Sequence, residues 1–171
     1  MVFLAAFTSV TDGLESPELL WGRIAFFIFL ALGVSFICSL LEAIILSVTW
    51  SHIELLSKDE RNSSDRLRRL KEDIDQPLAA ILTLNTISHT IGAAGVGSEF
   101  HKLGSEWFTA ASIILTILIL VFSEIIPKTL GAIYWRKLAP SSAYMLDGLV
   151  WMTWPIVVVL NSFSKKIAEG N

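Results

Sequence analysis

Residues 24–41 read IAFFIFLALGVSFICSLL, eighteen consecutive positions without a charged side chain. An uncharged apolar run of about 18 residues or more is the usual sign of a helix that crosses a bilayer. Residues 77–98 and 107–123 are similar in length and composition. Of the 171 residues, 53% are hydrophobic and only 17% are charged, whereas about a quarter are charged in a typical soluble domain. The sequence therefore predicts an all-α integral membrane protein in contact with lipid.

Lysine and arginine in short loops indicate the side of the membrane on which each loop lies, because cytoplasmic loops carry an excess of both. The loop 51–76, which has a helical pattern, contains six of these residues, whereas 99–106 contains only Lys102. This asymmetry predicts three transmembrane helices that form a core over residues 22–135. The N-terminal segment 1–21 is then external and the loop 51–76 cytoplasmic.

A fourth apolar stretch, 148–164, does not fit this pattern well. A crossing there would place Lys165 and Lys166 outside, against the charge rule, and Pro155 removes a backbone donor and kinks a helix. A bent, re-entrant or surface-lying helical hairpin over residues 136–171, on the cytoplasmic side, satisfies the charges better. The alternative is an ordinary fourth span with an exported tail.

Each of the three predicted spans carries polar residues at helical spacing, which places them on one face of the helix. In the third span this face leads to Glu124. An ionisable group at membrane depth costs about 2.5–3.5 kcal/mol, so such a group usually has a function. The three faces predict a bundle with a wet or ion-lined interior. Their residues are Ser35, Cys38, Ser39 and Glu42; Asn85, Ser88, His89 and Gly92; and Thr109, Ser112, Thr116 and Ser123.

Most of these side chains also have an ordinary structural interpretation. A serine or threonine in a membrane helix commonly bonds to the carbonyl four residues earlier. His89 has no second histidine or thiolate at a spacing typical of zinc sites, which favours a neutral, hydrogen-bonded ring. For Glu124 the alternative is an ion pair with Lys128, four residues later. Glu42 is near the cytoplasmic end of its span, where a carboxylate can reach water.

The sequence VFSEIIPKTLGA interrupts the third span. Pro127 cannot donate a helical hydrogen bond to the carbonyl of Ser123, which leaves a free oxygen beside Glu124, and Gly131 loosens the next turn. In the second span, GAAGVG at 92–97 allows the helix to end or unwind and its neighbours to approach closely. Because hard cations such as Mg²⁺ prefer oxygen ligands, these features predict an oxygen-lined cation site.

Three segments resemble the transmembrane domain of the CNNM/CorC family of magnesium transporters: CSLLEAIILSV at 38–48, LTLNTISHTIGAAGVG at 82–97 and SEIIPKTLGA at 123–132. The resemblance extends from about residue 22 to the end of the chain. It implies three transmembrane helices with an external N-terminus, followed by a juxtamembrane hairpin or belt at the cytoplasmic side.

The resemblance also implies a Mg²⁺ site between the three helices. By motif position its ligands are the side chains of Ser35, Ser39, Asn85 and Glu124 and a backbone oxygen near Gly131. Further candidate ligands are Ser123, Glu42 and Ser88. Pro127 is expected to kink the third span, and Lys128 to couple this kink to the site by contact with the ion path or with Glu124.

The function that the resemblance implies is export of Mg²⁺ by alternating access, with Na⁺ as counter-ion, by a homodimer in the cell (inner) membrane. Full-length relatives are expected to continue into cytoplasmic CBS domains after the hairpin. The alternative is a Mg²⁺-binding sensor that regulates another transporter. We do not expect an enzyme, because His89 and the serines have no orienting acid. The net charge of −3 is too small to indicate a nucleic-acid partner.

Overall fold

The computed structural model describes the backbone of residues 17–59 and 61–169, and the side chains of 18–58, 62–104 and 106–155. Most of the predicted external segment 1–21 therefore lies outside the described residues. Within them, nearly all of the backbone is helical.

The first span is built from α1 (Pro17–Phe29), a π-helical segment π1 (Leu30–Val34) and α2 (Ser35–Ser47). Two shorter helices follow, α3 (Trp50–Asp59) and α4 (Arg61–Glu72), and the second span is α5 (Asp75–His101). The third span begins with α6 (Ser105–Leu118), continues through π2 (Ile119–Ile125) and passes into α7 (Ile126–Glu169).

Three helices in the described part of the chain are long and apolar enough to cross a membrane. They are Glu18–Ser47, Asp75–His101 and Glu106–Pro155. The prediction of an all-α membrane protein with three spans is confirmed.

The two π segments lie at the level of the predicted polar residues. π1 ends directly before Ser35, and π2 contains Ser123 and Glu124. At the end of π2 the Ile126 N–H bonds to the Val121 carbonyl, five residues earlier, which is the π pattern. The two segments also contact each other. The interruption predicted around Pro127 is therefore a wider helical turn, and the helix continues through it.

The glycines of the second span lie in close helix contacts. A Cβ added at Gly92 would lie 2.6 Å from Ala31 Cβ, and one added at Gly95 would lie 2.2 Å from the Phe27 ring. The helix does not end or unwind there, because α5 continues to His101. The predicted unwinding of this segment is wrong and the predicted close approach is correct: small residues let two membrane helices pack backbone against side chain.

Helix α7 passes through the region 136–171 for which the sequence predicts a hairpin. Its backbone is assigned as one helix as far as Glu169, with Pro140 and Pro155 inside it. A proline within a helix removes one hydrogen bond and commonly produces a kink.

The packing of α7 requires a sharp bend. A Cβ added at Gly131 would lie 2.8 Å from the Leu40 carbonyl oxygen, yet Leu149 lines a cavity of about 310 Å³ together with Leu41. In a straight helix, two residues 18 positions apart would be separated by about 27 Å. The chain therefore turns back between Gly131 and Leu149, and Pro140 lies between them. The position of this segment on the cytoplasmic side stays a prediction.

The segment after Pro140 is held between the first span and α4. A shared core joins α2, α4, α5 and α7, and its members include Leu41, Ile45, Leu67, Leu70, Ile81, Ala143 and Leu146. Arg66 of α4 forms an ion pair with Asp147 and lies over the Tyr144 ring. These contacts fix the returning segment against the helices that follow the first span.

Lys71 of α4 caps the C-terminal end of the helix that forms the first span. Its Nζ donates a hydrogen bond of 3.0 Å to the carbonyl of Ile45, in the last turn of α2. The last four carbonyls of a helix have no partner within the helix, and a lysine near them is favourable. Burial lowers the pKa of the Lys71 ammonium.

We expect Gly92→Ala to lower the thermal stability of the purified protein in detergent, because the new methyl group has no room beside Ala31. Overpacking of this kind costs about 1–3 kcal/mol. The matched control is Gly22→Ala, since a Cβ at Gly22 meets nothing within 4 Å and alanine is the better helix former. Equal melting temperatures for Gly92→Ala and the wild-type chain would contradict the close contact.

Candidate cation site

A chain of hydrogen bonds connects the three spans at the level of the π segments. The hydroxyl of Ser35, the first residue after π1, is buried and donates to Asn85 Oδ1 on α5. The amide nitrogen Nδ2 of Asn85 lies 3.5 Å from Glu124 Oε1 in π2. Three residues that the sequence predicts as ligands, one from each span, are thus brought together.

His89 extends this polar group on the second span. Its Nε2 lies 2.5 Å from the Ser35 Oγ, so one hydroxyl contacts both Asn85 and His89. Asn85 and His89 are one helical turn apart and share a face of α5, as their spacing predicts. This is the hydrogen-bonded ring that the sequence favours for His89.

Lys128 lies between two carboxylates. Its Nζ is 3.2 Å from Glu42 Oε2 on the first span and 3.7 Å from Glu124 Oε2. The sequence considers only the pair with Glu124, four residues away, but the shorter contact is to Glu42. Two carboxylates and one ammonium leave a net negative charge in this cluster, so Lys128 does not neutralise both acids.

Among the described residues, Glu124 is held only by long contacts. Neither its 3.5 Å contact with Asn85 nor its 3.7 Å contact with Lys128 has the distance of a strong charge-assisted hydrogen bond. The side chain also keeps 32% of its surface exposed. The carboxylate is therefore able to take a further partner.

Three buried serine hydroxyls, close in sequence to the hydrogen-bonded residues, have no hydrogen-bond partner among the described residues: Ser39, Ser88 and Ser123. A buried polar group without a partner costs about 1–3 kcal/mol. Ser39 lies one turn beyond Ser35, Ser88 is three residues after Asn85, and Ser123 directly precedes Glu124. Each span therefore offers an unused oxygen close in sequence to a member of the hydrogen-bonded chain.

Other predicted residues lie in helix contacts. Gly131 is at the crossing of α7 and α2, where an added Cβ would lie 2.7 Å from Ala43 Cβ. Its close packing is evident, while the use of its backbone oxygen as a ligand stays a prediction. Pro127 is buried, and Cys38 lines the apolar cavity beside Leu149.

The polar stripe of the third span does not lead into the site as the sequence predicts. Ser112 Oγ donates to the Phe108 carbonyl and Thr116 Oγ1 to the Ser112 carbonyl, both at 2.8 Å. Thr109 and Ser112 line a groove together with Ala93, and Thr109 and Thr116 are exposed whereas Ser123 is buried. Segment π2 changes the residue-per-turn spacing, so residues before and after it no longer share the face that a regular α-helix would give them.

The donor types limit the kind of ion that this group suits. Within the described residues there is no group of three or more His, Cys, Asp or Glu side chains that could hold a metal. The possible metal ligands near Glu124 are mainly amide and hydroxyl oxygens, and the His89 ring nitrogen lies beside Ser35. Such a set fits a hard cation, which takes oxygen ligands and commonly only one or two carboxylates.

A second charged cluster, which the sequence patterns do not predict, lies near the end of α5. The buried Glu99 accepts from Lys102 at 2.9 Å and pairs with Arg23 of the first span, whose Nε is 3.4 Å from Glu99 Oε1. The available signal was a basic residue early in the first span and an acidic residue late in the second. Antiparallel neighbouring spans bring those positions to the same end.

Comparison with known proteins identifies the family. The profile described as the cyclin M transmembrane N-terminal domain (CNNM) matches residues 26–170. The chain is 33% identical over 144 residues to the UPF0053 protein sll1254 of Synechocystis, a match that covers 84% of this chain and 42% of that protein. It is also 30% identical over 131 residues to a UPF0053 protein of Haemophilus influenzae, covering 75% of this chain and 31% of the relative.

A third relative is the UPF0053 inner membrane protein YfjD of Escherichia coli, 27% identical over 113 residues, which are 66% of this chain and 26% of YfjD. The chain thus spans less than half the length of each of these curated relatives. Because the family profile matches most of its residues, the chain belongs to the CNNM transmembrane-domain family.

Proposed function

We propose that this domain is the membrane core of a Mg²⁺ exporter. The observation that carries the proposal is the series of hydrogen bonds from Ser35 through Asn85 to Glu124, which joins all three spans. The association of the family with divalent cation transport supports it.

In this proposal Glu124 supplies the negative charge and the neighbouring oxygens complete the shell. Asn85 Oδ1 and the hydroxyls of Ser35 and Ser39 are ligands, together with the backbone oxygen of Gly131. The ion retains some water, because Mg²⁺ dehydrates reluctantly and keeps several water ligands in most protein sites.

In this proposal Lys128 moves between the carboxylates of Glu124 and Glu42 as the ion enters. An entering divalent cation repels the ammonium group, and Glu42 offers it a carboxylate that is already the nearer one, at 3.2 Å. Glu42 is therefore proposed to hold Lys128 while Glu124 binds the ion. Ser88 and Ser123 are further oxygens that can replace a water ligand during passage.

Transport by this core is proposed to proceed by alternating access in a homodimer, with Na⁺ entry as the driving reaction. The proposed location is the cell membrane, in keeping with the printed name of the Escherichia coli relative, an inner membrane protein. The proposed orientation has the N-terminus outside and the C-terminus in the cytoplasm. Cytoplasmic CBS domains are proposed to follow this domain in full-length relatives.

We expect Mg²⁺ to raise the melting temperature of the purified chain and Glu124→Gln to abolish this effect, because the substitution removes the only proposed ligand charge. A ligand at about 100 times its Kd stabilises a protein by about 2.7 kcal/mol. The matched control is Glu106→Gln, an exposed acid at the start of the third span, which should keep the Mg²⁺ response. Full protection of the Glu124→Gln variant by Mg²⁺ would refute the site.

Flux across liposomes separates a transporter from the alternative, a Mg²⁺-binding sensor. With a Mg²⁺-sensitive dye enclosed, we expect the reconstituted chain to move Mg²⁺ when a Na⁺ gradient is applied, and Asn85→Ala to stop the movement. The Glu106→Gln variant again serves as the control. Retained Mg²⁺ binding without any flux would favour the sensor.

Orientation is tested by cysteine labelling in intact cells, in a Cys38→Ala background that removes the single native cysteine. We expect Cys introduced at His101 to react with a membrane-impermeant maleimide from outside. Cys introduced at Asn62 should react only after permeabilisation, because the basic loop is proposed to be cytoplasmic. The reverse pattern would overturn the proposed orientation.

A further inference from the structure

The apolar cavity of about 310 Å³ lies between the first span, a leucine of α5 and the part of α7 that follows Pro140. None of the side chains that line it carries an oxygen or a nitrogen atom. Water needs polar partners, and an apolar cavity of about 150 Å³ in another protein stays dry and binds benzene. In the same proportion, the present cavity has room for about a dozen carbon atoms. The ligand that suits it is therefore a hydrocarbon.

The cavity depends on a glycine in the middle of a helix. A Cβ added at Gly148 would meet nothing within 4 Å, whereas one added at Gly92 or Gly131 would lie closer than 3 Å to a neighbouring helix. Glycine in a helix interior costs about 0.5–1 kcal/mol relative to alanine. Close packing of helices therefore explains Gly92 and Gly131 but does not explain Gly148, whose missing side chain leaves the space open.

The cavity opens toward the level of the lipid tails. Its edge is formed by Ile37, Met145 and Met152, which are 44%, 47% and 53% exposed. Ile37 is ten residues before Ser47, the last residue of α2, and ten residues correspond to about 15 Å along a helix. The hydrocarbon layer of a bilayer is about 30 Å thick. A position this far from the end of a span lies inside that layer, so acyl chains surround the opening.

The part of α7 after Pro140 has two different faces. Met145, Gly148 and Met152, spaced by three and four residues, face the cavity. Asp147 and Trp154 line a separate groove on the opposite face, since two residues correspond to about 200° of rotation. Tryptophan is enriched at the membrane–water interface, where its ring lies at the level of the headgroups. One face of this segment thus suits headgroups, and the other suits the tails.

We propose that the cavity bounded by Cys38, Leu41, Gly148 and Leu149 binds one acyl chain of a phospholipid from the surrounding bilayer. The chain enters past Ile37 and makes dispersion contacts with the apolar walls, which hold the returning part of α7 against the first span. The methionines at the edge are unbranched and adapt to a flexible ligand. This inference does not depend on the cation site.

The test uses the purified chain in phosphatidylcholine vesicles in which a small fraction of the lipid carries a photoreactive diazirine in one acyl chain. After illumination, mass spectrometry locates the labelled residues. Cys38 and Leu149 are decisive, because they are only 1% and 8% exposed and lie inside the cavity. We expect label at both, as well as at Ile113, an exposed residue of the third span.

Gly148→Leu fills the cavity with a side chain of the protein itself. We expect it to reduce the label at Cys38 and Leu149 about tenfold or more and to leave the label at Ile113 within about twofold, because a filled interior has no room for a second occupant. The matched control is Gly22→Leu, which introduces the same side chain where a Cβ also meets nothing within 4 Å. This control should give the wild-type pattern of label.

The wild-type measurement decides the proposal even if Gly148→Leu does not fold. Label at Ile113 without label at Cys38 and Leu149 would overturn it, and so would label at Cys38 that Gly148→Leu leaves unchanged. In either case, photoreactive methionine identifies what lies against Met145 and Met152. Cross-links to residues after Pro155 would indicate the following segment of the same chain, and covalent dimers would indicate a second copy.

Discussion

Polar groups inside a membrane must find partners within the protein, because lipid tails offer none. This constraint applies to Glu124, which directly follows a stretch of the third span, residues 107–123, without a charged side chain. Its neighbours come from the other two spans: Asn85 directly, and Ser35 through Asn85. They can reach it because Gly92 lets the first and second spans approach at Ala31 and Gly131 lets the third approach the first at Ala43. Close helix packing and the polar group therefore depend on each other.

The parts outside the spans hold this arrangement from one end. Lys71 of α4 donates a hydrogen bond to the last turn of the first span. Arg66, also of α4, forms an ion pair with Asp147 in the part of α7 that follows Pro140. At the far end of α5, Glu99 joins the first and second spans through Arg23. The polar group thus lies between ionic contacts toward the two ends of the bundle. Such contacts resist separation of the helices without adding apolar surface that lipid could replace equally well.

Much of this architecture could be predicted from local sequence properties. The uncharged runs define three spans, and the four-residue spacing of Asn85 and His89 places both on the face that meets Ser35. The prediction failed where neighbouring helices decide the outcome. Gly92 has a low helix propensity, but tight contact with Ala31 keeps it helical. Lys128 had an acid four residues away in its own helix, and its shorter contact is with Glu42 on another span. The widened turns have no clear sequence signal, which is why the face assigned to Thr116 was wrong.

The direction in which the Glu124 side chain points depends on the wider helical turn of segment π2. A helix advances by about 100° per residue, and a π turn contains one residue more than the α-helical turn it replaces. If the same residues formed a regular α-helix, the acid would be rotated by about 100° relative to the helix before it, and so away from Asn85. Conversion of this short segment to a regular α-helix would therefore move the acid out of the polar group without the exchange of a single side chain.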